Sequence, residues 1–474
     1  MKISLPGPKG NLYFSAFAAN LASTSVGTHY SWSSPTIPKL QASDSWLLLN
    51  DEEASWVGSL TALGTVAGPF LGGWLMDHVG RRRSIILSVV ISLVAWLVLL
   101  TAESLWQLYV GRVIGGIGGG IAFLVCPVYV AEIAEPDVRG ALGSMFAFFL
   151  VGGYLIEYSF GPYVTYSTLI WLNCIPAILF FLLFSLTPES PYYFLRKNDY
   201  ASASDSLTWL RSGRKEEEVQ KEINEIQTEV RRSMEEKAHL SDLVATRGNR
   251  MGLLLACGMV AGQQISGVNA VLFYGQSIFI MAGTSFSSSV STLILGIMLF
   301  VAGGFAIPFS RYFGMKKMFI FSAVGMAIFQ AILGVYFYLM SSGHDMSAYG
   351  YVPVTSLVLF IFCYTMGFGP LPWAVMAEVF PSNVKALAAA ITASFCWLLG
   401  FVITKFFNSV SDHLGAHFAF FIFSACCVAA LLFTIFVLPD TRGLTLQEIL
   451  DLLNKTPLVS SQHKHAEDQA ETVS

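Results

Sequence analysis

Charged residues punctuate this chain at long intervals. Eleven stretches carry no Asp, Glu, Lys or Arg: 10–38, 54–76, 84–102, 113–131, 140–156, 158–188, 251–310, 318–344, 346–377, 386–404 and 413–439. A helix of about 20 apolar residues crosses a bilayer. Outer-membrane strands would instead alternate over about ten residues. Run 251–310 is long enough for two helices, and the polar patch at 283–289 divides it. The pattern predicts twelve transmembrane helices, six on each side of a charged middle at 188–250. Inside that middle, Val219, Ile223, Ile226, Val230 and Met234 recur in steps of four, three, four and four. They mark one stripe of an amphipathic helix over 215–237, expected to cap the membrane bundle. The polar end, 457–474, reads as disordered. The expected division is 1–187 and 251–440 for two six-helix bundles, 188–250 for a cytosolic helical linker, and 441–474 for a tail.

Composition agrees. Apolar residues make up 54% of the 474 and charged ones 12%, about half the usual charged share of a soluble domain. This excludes a soluble enzyme, a disordered chain and a secreted disulfide scaffold. With the N-terminus inside, 24 of the 27 Lys and Arg fall on the cytoplasmic side, as positive-inside topology requires. Both termini are then cytoplasmic. The first run is too long for a cleaved signal peptide and no small-residue cleavage site follows it, so it reads as the first span. All seven cysteines lie in predicted helices without metal-ligand spacing. No metal, cofactor or nucleic-acid partner is expected, only membrane lipids and a small solute.

The two halves repeat. Asp77-His-Val-Gly-Arg-Arg-Arg83 follows span 2, and Arg311-Tyr-Phe-Gly-Met-Lys-Lys317 follows span 8. Glu132 precedes Arg139 by seven residues, as Glu378 precedes Lys385; Pro188-Glu-Ser closes span 6 and Pro439-Asp-Thr closes span 12. Two parallel six-helix halves suit an alternating-access transporter, with substrate held between them at mid-membrane. With Gly111-Arg112, Gln263-Gln-Ile-Ser-Gly-Val-Asn269 and Gly369-Pro-Leu-Pro-Trp373, these motifs resemble, in order, the sugar porter family of the major facilitator superfamily. The resemblance covers about residues 10–450. Trp32-Ser-Ser-Pro35 and Ala54-Ser-Trp-Val-Gly-Ser59 are similar to the facilitated trehalose transporters within it.

A sugar offers hydroxyls, which amides match with donors and acceptors, and a weakly apolar ring face, which an indole matches. The resemblance implies sugar binding by Gln263, Gln264, Asn269 and Trp373; Trp397 on span 11 reads as a residue lining the gate, or as a packing tryptophan. Gln263 and Asn269 do not share a face of a straight helix; Ser266-Gly267 between them is expected to break it. Gly367, Gly369, Pro370 and Pro372 are expected to interrupt span 10 as a hinge. Gly115 and Gly119 are expected to allow close helix packing. The charges Asp77, Arg81, Arg82, Glu132, Arg139, Glu378 and Lys385 read as a cytosolic gate whose ion pairs set the balance between two conformers. The chain departs from the family pattern at four places. Arg311 and Met315 stand in the second loop where the family has Asp and Arg. Ala147 and Leu299 stand where it commonly has polar residues on spans 5 and 8.

Proton coupling needs a titrating group in the pathway. Span 1 has no acid, only His29, read as a neutral lining or packing residue. Glu157 stands 18 residues beyond Arg139, about 27 Å along a helix, and reads as a hydrated rim residue. Facilitated diffusion of trehalose or a hexose across the plasma membrane is the expectation, with proton symport as the alternative and a non-transporting sensor after it. No embedded His, Ser or carboxylate cluster suggests an enzyme.

Overall fold

The computed structural model describes residues 9–235, 240–440, 442 and 446–455. Lys2, the side chain of Arg311 and the tail at 457–474 lie outside the described residues. The first half contains α1 (Gly10–Ser31), α2 (Ser33–Leu40), α3 (Asp51–His78), α4 (Arg81–Leu100), α5 (Leu105–Ile133), α6 (Arg139–Phe160) and α7 (Tyr166–Phe184). The linker contains α8 (Pro191–Arg196), α9 (Tyr200–Leu210), α10 (Glu216–Glu235) and α11 (Asp242–Ala245). The second half contains α12 (Arg247–Ile265), α13 (Val268–Ala282), α14 (Ser288–Phe313), α15 (Met315–Ser341), α16 (Val352–Met366), α17 (Leu371–Val379), α18 (Ser382–Leu414) and α19 (Ala416–Phe436). A last helix, α20 (Leu446–Lys455), follows it and packs on α12 and α17.

The twelve spans are α1, α3 to α7, α12 with α13, α14, α15, α16 with α17, α18 and α19. Ten of these stretches are apolar enough to cross a membrane on composition alone; α1 and α3 are the other two. The reason is visible in α1. Of its 22 residues 18 are buried, including two Asn and several Ser and Thr. A helix enclosed by protein over most of its surface owes little to lipid, so its polar residues are tolerated where they find partners. Asn20 donates to Ala16 O, and Ser15 to Asn11 O. By contrast, α7 buries only 7 of 19 residues, and its remaining surface is mostly apolar.

Glycines set the closest approach inside the first half. A Cβ on Gly116 would lie 2.1 Å from Thr61 O on α3, a contact only glycine permits. Gly115 and Gly119 turn instead toward His29 and Val26 on α1, so the expected packing role extends over two helix faces. The linker helix α10 buries Val219, Ile223, Ile226 and Val230 against Leu195, Ala203 and Leu207. Four of the five expected stripe residues therefore pack; Met234 is exposed.

The two halves meet along α3 with α18 and α6 with α14. At the end away from the linker they are stitched by neutral hydrogen bonds. Ser33 Oγ donates to Phe273 O at 3.0 Å, Tyr158 OH to Leu272 O at 2.6 Å, and Tyr274 OH to Ser55 O at 3.2 Å. Lys405 Nζ donates to Ser55 Oγ at 2.8 Å and lies 4.5 Å from the centroid of Trp56. This distal end is closed.

Candidate functional site

Span 7 breaks where its sequence predicts. Gly267 has φ +80° between α12 and α13, a conformation a Cβ disfavours. Span 10 breaks between α16 and α17 at Gly367–Pro370. Each break frees backbone carbonyls that lipid cannot satisfy. Gln263 meets this demand: its Nε2 donates to Phe368 O at 2.7 Å and Gly369 O at 2.8 Å, with Tyr364 OH at 3.3 Å. Asn269 Nδ2 donates to Gln264 Oε1 at 2.6 Å across the other break, and Gln264 Nε2 reaches Cys396 Sγ at 3.0 Å. The three amides are buried at 4–5% exposure, so in this conformer they hold the two broken helices together.

Trp373 stands in the first turn of α17, half-buried, and Trp397 is buried on α18. Their rings receive partners from the first half. Phe123 on α5 approaches Trp373 edge-on at 5.1 Å and Trp397 at 5.9 Å, and Tyr30 on α1 lies 4.5 Å from Trp397. Trp397 Nε1 has no hydrogen-bond partner among the described residues. The site thus combines three amides and two indoles from one half with two rings from the other. The motifs point to the amides and indoles; Phe123, Tyr30 and Tyr364 belong to no motif, and residue type alone does not mark them. Leu299 is buried and Ala147 exposed.

At the linker end, the expected gate charges divide. Arg81 forks onto Glu132, Nε to Oε2 at 2.9 Å and Nη2 to Oε1 at 2.9 Å, and Ser190 Oγ donates to the same carboxylate. Asp77 pairs with Arg196 of the linker at 2.7 Å. Glu189 accepts from the backbone N–H of Arg82 at 2.9 Å and of Ser190 at 2.9 Å, while burial pushes its carboxyl above the ordinary range. Arg139 is exposed and donates at 3.4 Å to Ala134 O. Glu378 closes α17 and Lys385 lies in the first turn of α18, in the other half. A second network had no sequence signal. Glu135, almost fully buried, binds Lys9 at 2.9 Å, Arg214 at 2.7 Å and Arg211 at 3.5 Å. Lys9 also meets Asp137 at 2.5 Å, which lowers the Asp137 carboxyl and raises the Lys9 ammonium.

Glu157 corrects an expectation. Its height along α6 is near the end of the helix, as counted, but it is fully buried and accepts from Asn173 Nδ2 at 2.5 Å. The cause is α2, which folds over the top of α6. A Cβ on Gly161 would lie 2.5 Å from Pro35 Cγ. Lys39 on α2 also donates to the Gly161 and Val164 carbonyls. Buried Arg112 lies near this acid and donates to Val57 O and His29 O. His29 packs as one of its two readings held: it is buried, stacked on Trp96 at 3.9 Å.

The sequence matches the sugar (and other) transporter family over residues 12–453. The chain belongs to this family. It is 36% identical over 440 residues to the facilitated trehalose transporter Tret1 of Polypedilum vanderplanki, covering 92% of this chain and 86% of that one. The Tret1 of Bombyx mori is 32% identical over 434 residues, covering 92% and 85%. The inward-open structure of the xylose transporter XylE from E. coli superposes with a TM-score of 0.77 at 22% identity, covering 93% of this chain and 99% of that one. In this sugar transporter, then, the motif amides and indoles lie at two facing helix breaks, on the fold those structures share.

Proposed function

We propose that this transporter carries trehalose or a hexose down its gradient by alternating access, as a carrier and not an enzyme. The observation that carries the reading is the pair of breaks in spans 7 and 10, bridged by Gln263. Gln263 and Asn269 flank one break, and Trp373 follows the other. Amides that bridge broken helices can exchange those bonds for sugar hydroxyls at small net cost, since a hydrogen bond swapped for another is nearly neutral. The names of the relatives support the substrate class. The plasma membrane is the proposed location, with the linker, both termini and the four-part division at 187, 250 and 440 arranged as the charge bias requires. In that orientation the closed distal end faces outside; of the expected gate charges Asp77, Arg81, Arg82 and Glu132 brace the first half and its linker, and Arg139, Glu378 and Lys385 bias the balance between conformers.

Span 1 supplies no acid to the pathway, which favours uniport. Buried Glu157, within electrostatic reach of Arg112, is the structural observation on the side of proton symport. Reconstituted protein separates the two. Labelled trehalose and labelled glucose are offered with equal sugar inside and out and an imposed pH gradient. The expected result is exchange without net accumulation. Accumulation abolished by a protonophore overturns uniport, and binding without flux overturns the carrier in favour of a sensor.

A further inference from the structure

Every amide at the site comes from the second half, whereas the first half reaches the same indoles with rings. Tyr30 turns its hydroxyl away, to Thr65 Oγ1 at 3.2 Å, and presents its ring to Trp397. Phe123 has no polar group to turn. It is half-buried, packs against both large apolar clusters of the molecule, and touches Trp373, Trp397 and Phe146 by ring edges at 5.1, 5.9 and 5.3 Å. It is therefore the first-half residue joining both indoles, one of them on the short helix beyond the span 10 break. A sugar resting against those indoles and the amides behind them has one side left, and that side meets a phenyl ring.

We propose that Phe123 is a specificity-determining wall of the sugar site, selecting pyranosides whose face toward the first half is C–H and not hydroxyl. The inference rests on the sugar-carrier reading. A hydroxyl buried against phenyl forfeits its water and gains no partner. A C–H face against the ring costs nothing polar and gains contact. The site is thus sided: hydroxyls are read by the second half, shape and apolarity by the first. Glucopyranosyl units, whose hydroxyls are all equatorial, fit such a site better than epimers with an axial hydroxyl on the side facing the ring.

The test is a ligand–residue cycle on the purified full-length protein. Binding of glucose and of deoxy analogues, each lacking one hydroxyl, is measured on wild type, Phe123→Gln and Phe123→Leu. In wild type, removing the hydroxyl nearest residue 123 is expected to leave affinity unchanged or improve it. In Phe123→Gln the same removal is expected to weaken binding roughly two- to tenfold, since the new amide gives that hydroxyl a partner. Phe123→Leu, which keeps the wall apolar, is expected to behave as wild type. Unchanged unfolding midpoints establish that the variants are folded. No coupling between residue 123 and any hydroxyl overturns the inference while leaving the carrier reading intact, as does coupling of equal size in Phe123→Leu. A wild type that binds neither these sugars nor trehalose overturns the carrier reading, and this inference with it.

Discussion

The two ends of this molecule are held by different chemistry. At the distal end the halves are joined to each other, through hydroxyls and a lysine that donate to backbone carbonyls and to Ser55. At the linker end Asp77, Arg81, Glu132 and Glu135 take charged partners from the first half and the linker. Neutral hydrogen bonds are each worth about 1 kcal/mol net, so a seam made of a few can open and reclose. A buried ion pair is costly to break on one side, about 3–5 kcal/mol, which suits parts that must stay together. The difference assigns the distal seam to motion and the linker-end charges to bracing the first half together with the linker it carries.

The largest effect on transport is expected from blocking the seam. Gly58 lies flush against Tyr274: a Cβ there would sit 2.3 Å from the tyrosine hydroxyl. Gly58→Leu displaces that ring and removes its bonds to Ser55 O and Thr404 O. Only the bond to Ser55 O crosses between the halves, and its loss moves the conformer balance about fivefold toward the distally open form. Flux falls, and cysteines placed on the distal side of α3 and α18 become more reactive. Unchanged reactivity in folded protein would break the assignment of the seam to gating.

Next comes the ion pair. Arg81 is 4% exposed and its guanidinium has Glu132 as its acidic partner. Glu132→Gln leaves that charge underpaired and is expected to lower stability by about 3 kcal/mol, read as a drop in the detergent unfolding midpoint. If Glu132→Gln instead left stability unchanged but raised linker-side accessibility, the pair would be a gate latch, and the comparison would fail at this end.

The uneven legibility of the two ends has a physical cause. Charge-free runs, the Gly267 break and the span 10 break are local properties of the chain, because backbone conformation and lipid burial act residue by residue. The stripe on α10 was legible for the same reason. The distal seam was not, since its acceptors are backbone carbonyls, which every residue carries. Glu157 was misplaced because counting along a helix gives height and says nothing of what folds over the top. The Glu135 network joins residues 9, 135, 211 and 214, too far apart for any spacing rule.

The smallest expected effect concerns pH at the linker end, and it sharpens the contrast because a tether should not respond where a switch would. Lys9 holds Asp137 at 2.5 Å and Glu135 at 2.9 Å. The Asp137 carboxyl is lowered by its hydrogen bond with Lys9, so its contribution is full above the ordinary carboxylate range and is lost only as pH falls through the lowered value. The Lys9 ammonium is raised, chiefly by Asp137 and then by Glu135. Its contribution is full below the ordinary lysine range and lost as pH rises through the raised value. Both conditions hold between roughly pH 5 and pH 9. The difference in unfolding midpoint between wild type and Lys9→Met is therefore expected to be flat across that window and to shrink below about pH 4. These side chains are partly solvated, and exposed pairs contribute little, so the difference itself is expected to be small. A slope inside the window would mean that another titrating group moves with the tether, and the linker end would then be a pH-responsive element, not a fixed joint.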